Sequence, residues 1–91
     1  AKPEWWNDEG LKALSARVLR AAPNYEEATI MRAAVLGGTS YGAWEVGPRS
    51  VAELKEAAAL WDRSAALCTA PTLKAQNIRL ADWCRIQAEA M

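Results

Sequence analysis

"LWDRSAALCTAPTLKAQNIRLADWCR", residues 60–85, is the stretch that decides the fold. Small residues recur at helical spacing as far as Ala70, Pro71 interrupts them, and the same kind of pattern resumes at once. Inside a helix a proline removes a hydrogen bond and clashes with the preceding turn, yet its fixed φ suits a first turn. The stretch therefore predicts one helix, a tight turn at 70–71 and a second helix. Two helices joined by so short a connection lie antiparallel, as an αα-hairpin.

Working outward, the helix before Pro71 is predicted over 51–69. Ser50 and Glu53 have the spacing of a capping box, and Leu54, Ala57 or Ala58, Trp61, Ala65 and Cys68 make an apolar stripe. The helix after it is predicted over 71–89, with Leu73, Leu80, Ala81, Cys84 and Ala88 as its stripe and Ile78 and Trp83 on flanking faces. Nearer the start, residues 7–22 read as a helix capped by Asn7, with Asp8 and Glu9 in the first turn, where the helix dipole favours negative charge. Leu11, Leu14 and Val18 form its stripe, widened by Leu19 and Ala22, and Gly10 weakens its start. A further helix is expected over 24–37, opened by Asn24 with Glu27 and closed by Gly37–Gly38. The segment 38–50 is a long loop by its glycines and Pro48, and it carries Tyr41 and Trp44. Nothing alternates with period two over a useful length. The expectation is an all-α fold of about four helices in antiparallel hairpins, one domain or fragment over 1–91.

Composition bounds the function. The chain has 91 residues and is 52 % apolar, but much of that is alanine, which buries little area. With no Phe, the five tryptophans are expected to supply a disproportionate share of the core. Eleven basic and eleven acidic residues cancel, so the basic excess of a nucleic-acid binder is absent. No apolar run approaches the ~20 residues of a membrane-spanning helix. With Cys68 beside the turn, Cys84 falls ~20 Å away along the next helix. That is too far for a disulfide. Two reduced cysteines fit a soluble, intracellular chain.

Catalytic chemistry finds little footing. There is no histidine, hence no Ser-His pair, no Cys-His dyad and too few ligands for structural zinc. The carboxylate pairs Asp8–Glu9, Glu26–Glu27 and Glu53–Glu56 all begin in first helical turns, where capping and dipole explain them. Gly37–Gly38 lacks the later Gly-Lys-Ser/Thr of a phosphate loop. No cofactor and no enzymatic activity are expected.

The two helix–proline junctions resemble each other. "SARVLRAAPNYEEATIMRAAVL" and "RSAALCTAPTLKAQNIRLADWC" align on Pro23 and Pro71, with Leu19 and Leu67 before them and Ala33 and Ala81 after them. Such recurrence marks a helical repeat. At Leu80–Ala81 followed by Cys84, and Arg32–Ala33 followed by Leu36, the chain resembles the tetratricopeptide repeat family, with Cys84 where tyrosine is usual. Ala59, Arg63 and Ala66 match its small-large-small spacing. The 37–50 loop is longer than that family's turn, and the order is shifted by half a unit, beginning and ending mid-repeat.

The resemblance implies a right-handed array whose first helices line a groove for a peptide or protein segment. On this chain that groove takes in Ile30, Met31 and Ala34 with Glu27 on one helix, and Ile78, Arg79, Asp82 and Arg85 with Ala75 and Ile86 on the other. Tyr41 and Trp44 of the loop are further candidates. The expected function is a protein-interaction or scaffold module. The alternative is a small structural subunit or fragment wedged into a larger complex, with Trp5, Trp6 and Trp44 as anchors.

Overall fold

Each predicted helix is present in the computed structural model, which describes residues 3–38, 44 and 46–91. α1 (Asp8–Ala21) is capped as expected by Asn7, whose side chain accepts from the Gly10 N–H at 2.8 Å. Gly10 has a role other than weakening the helix. A Cβ there would lie 1.9 Å from the Trp5 carbonyl oxygen, so the turn leading into α1 closes onto a position only glycine can occupy unshifted.

α2 (Glu26–Gly37) starts later than its sequence suggests. Pro23 and Asn24 occupy the middle of a turn closed by the Tyr25 N–H onto the Ala22 carbonyl at 3.1 Å, so Tyr25 becomes the cap residue and makes no side-chain capping bond. The expected Asn24–Glu27 box is replaced by a bond from the Tyr25 hydroxyl to Glu27 Oε2 at 2.8 Å. The other end follows expectation: Gly38 adopts φ +67°, and a side chain there would also press on Val46.

α3 (Val51–Leu67) opens with the complete capping box. Glu53 N–H donates to Ser50 Oγ at 3.1 Å and Ser50 N–H to Glu53 Oε1 at 2.9 Å. After a turn at 68–70, α4 (Pro71–Glu89) begins with proline in its first turn. The described residues contain no strand.

The order of packing follows the chain: α1 lies on α2, α2 on α3, and α3 on α4. The core is a seam of small side chains, Ala33, Ala57, Ala58, Ala81 and Cys84, around two large ones, Leu36 and Trp61. Close helix approach follows from residues of this size. Of the five tryptophans only Trp61 is buried, and its indole N–H has no acceptor among the described residues. Trp5 and Trp83 are exposed, while Trp6 and Trp44 are half-buried. The tryptophans therefore do not carry the core as a group: Trp5 precedes α1, and Trp83 lies on a flank of α4 outside the buried seam, beside a depression it shares with Leu54 of α3. Leu73 also leaves its expected stripe, lying near the hairpin turn where Leu67 of α3 is equally open. Both cysteines are free thiols, and no described helix is long and apolar enough to cross a membrane.

Candidate interaction surface

The expected groove residues separate into two groups. Ile30, Met31 and Ala34 on α2 are half-buried, and Ile30 and Ala34 pack against the central seam. Those two are occupied by the fold itself. Ile78, Arg79, Asp82 and Arg85 on α4 are all exposed. Tyr41 lies outside the described residues.

Trp44 takes part in something its sequence context did not signal. Its indole N–H donates to Asp8 Oδ1 at 2.9 Å, and the same carboxylate receives both Arg49 terminal nitrogens at 2.6 and 2.7 Å. Arg49 reaches on to the Val35 carbonyl at 2.9 Å, near the end of α2. One guanidinium thus ties the start of α1, the end of α2 and the loop before α3. Its side chain is only 8 % exposed and its Nε has no partner among the described residues, where the fork is satisfied at its tips alone. Lys12 adds a second tie, 2.8 Å from Glu53 of α3 and 3.6 Å from Asp8. Arg32 of α2 adds a third, donating to the Lys12 carbonyl at 2.8 Å and to Glu56 at 3.1 Å.

The electrostatics follow from these contacts. Arg49's hydrogen bonds hold the Asp8 carboxyl far below the usual carboxylate range, with Trp44 and Lys12 adding to the effect against the opposing cost of burial. The Lys12 ammonium lowers Glu53 and is raised by it in turn. Burial pushes the Cys84 thiol upward, in keeping with its enclosed place in the seam. Each charge in this cluster has a partner within the fold, so the cluster fastens α1 and the loop.

What remains open is the outer face of α4. Ala81, Cys84 and Ala88 point into the seam, whereas Ile78 is 44 %, Trp83 38 % and Ile86 61 % exposed. Interleaved with them are Arg79 and Asp82, and Arg79 makes no ion pair among the described residues. Arg85 at the edge is already held by Asp62 of α3 and by Asp82 at 3.3 Å. Beyond Trp83 the surface continues into a depression of ≈ 360 Å³, also lined by Val46, Leu54, Gln87 and Met91. Trp83 and Ile86 were legible as residues off the core stripe; that they lie open together follows from α3 being the described helix packed most against α4, on the other side. Compared with known proteins, the chain matches no family model, and no curated protein or solved structure is similar to it.

Proposed function

We propose that this chain is a helical protein-interaction module of tetratricopeptide-like type, and that its contact surface is the outer face of α4. One observation carries the reading: a 19-residue helix buries three small residues and leaves Ile78, Trp83 and Ile86 in solvent. Exposed apolar side chains of that size on one helix mark an interaction surface, and tryptophan is enriched at interface hot spots. The groove first expected between α2 and α4 is narrowed to its α4 side, since Ile30 and Ala34 are engaged in packing. The ligand class is a helix or extended segment laid along α4.

A photo-crosslinking amino acid at Ile78, compared with one at Ala13 on the exposed side of α1, tests this reading in the native lysate. Discrete crosslinked products from position 78 and none from position 13 support it. Equal labelling from both positions refutes it.

A second reading, a small subunit seated in a larger assembly, is supported by Trp5. This side chain is 48 % exposed, with its ring 5.7 Å from that of Trp6, at the opposite end of the chain from α4. Trp5→Ala that leaves the fold intact yet releases the chain from a large complex would favour it.

A further inference from the structure

We propose that the partner on α4 is a second copy of this chain, docked antiparallel through a two-fold axis passing beside residues 80 and 81. This rests on the reading of α4's outer face as the contact surface and names its occupant.

At about 100° per residue, Ala75, Arg79, Asp82 and Ile86 fall within about 60° of arc, on the side opposite Ala81, Cys84 and Ala88. Their spacing of four, three and four is that of a seam between two helices. All four are exposed.

A two-fold axis between residues 80 and 81 pairs positions whose numbers sum to 161. Arg79 then faces Asp82 of the second copy, and Asp82 faces Arg79 of the second copy. Ala75 faces Ile86, the smallest seam residue against the largest apolar one, again twice. Because such an axis preserves the edges of the interface, the two Trp83 rings fall along one edge and the two Ile78 side chains along the other. Every seam residue thus meets a complement in charge or size, which is the requirement of an isologous contact.

A parallel pairing about an axis along the helices sets Arg79 on Arg79 and Asp82 on Asp82, and is disfavoured. The free guanidinium fits the antiparallel arrangement. Arg79 makes no ion pair among the described residues, and Asp82 shares only a long contact of 3.3 Å with Arg85. The two bridges formed on docking replace little that already exists. A contact confined mainly to one helix per copy is below standard interface size, so a reversible dimer is expected over about 10–300 µM.

Sedimentation velocity across that range, on the whole chain, tests the proposal. Wild type is expected to shift from monomer to dimer. Arg79→Asp and Asp82→Arg should each abolish the shift, by placing two like-charged pairs in the seam. The double variant R79D/D82R, which exchanges the charges, should restore it. Circular dichroism checks that the three variants remain helical, which exposed positions allow. A wild-type chain that is monomeric throughout overturns the second-copy assignment, while the crosslink at position 78 still reads a heterologous partner on the same face. A dimer indifferent to R79D, or one the double variant fails to restore, overturns it as well.

Discussion

Replacing Arg49 by Met tests whether the polar tie at the start of α1 holds the fold together. The Asp8 side chain is 13 % exposed and that of Arg49 only 8 %, so neither charge can recover full hydration when the other is removed. In the variant, Asp8 keeps the Trp44 N–H at 2.9 Å and Lys12 at 3.6 Å but loses both of its shortest bonds. Removing one member of a buried pair costs about 3–5 kcal/mol. The lower part of that range applies, because Lys12 and Trp44 remain. A domain of this size has a total stability of about 5–13 kcal/mol. Each kcal/mol moves its melting temperature by about 4–8 °C, so a fall of about 12–24 °C is expected. Urea and thermal melts followed by circular dichroism give the number. Asp8→Asn combined with Arg49→Met should cost less than the two single changes summed, by about 0.5–3 kcal/mol. A loss below about 1 kcal/mol for Arg49→Met, the value of a solvent-exposed pair, would refute the argument.

Two other expectations follow from the same end of the molecule. Gly10→Ala should lower the melting temperature, although alanine favours helix by about 1 kcal/mol, since its Cβ would meet the Trp5 carbonyl at 1.9 Å; a rise in melting temperature would show that turn to be dispensable. Acid should also destabilise the chain. Asp8 and Glu53 titrate lower folded than unfolded, so the folded state binds fewer protons; their contribution is complete above about pH 5 and is lost as pH falls through about 4 toward the folded values. Urea midpoints at neutral and acid pH read this directly, the dependence should flatten in Arg49→Met, and equal midpoints in the wild type would contradict it.

The helices were legible because their signals are local. Asn7, the Ser50–Glu53 box, Gly38 and Pro71 act within a turn of their own positions, and each sits at the boundary its chemistry implies. Asn24 failed for an equally local reason, since a cap residue after proline can be absorbed into the turn that proline starts. The Asp8–Arg49 tie was not legible. Its members stand 41 residues apart, and Asp8 at a helix start already has a sufficient explanation in the dipole. Gly10 was misjudged because what fills its missing side chain is backbone from the preceding turn, which periodicity does not register. On the candidate surface, spacing put Ile78 and Trp83 beside the core stripe. Only the stacking order shows that no described helix follows to cover them, and that Ile30 and Ala34 are spent on packing.

The small-residue seam constrains how this chain can vary. In a leucine-filled interior the harmful changes are those that remove volume, and each vacated methylene is felt as a void. Here Ala33, Ala57 and Ala81 are wholly enclosed, with neighbouring helices already against them. Loss of a methyl group leaves little empty space, whereas each added carbon must wedge two helices apart, at about 1–3 kcal/mol. Tolerated variation is then bounded from above by size: Gly, Ser and Cys are admissible, as Ser64 and Cys84, both fully enclosed, already illustrate. Such an interior can drift in polarity while its volume stays capped.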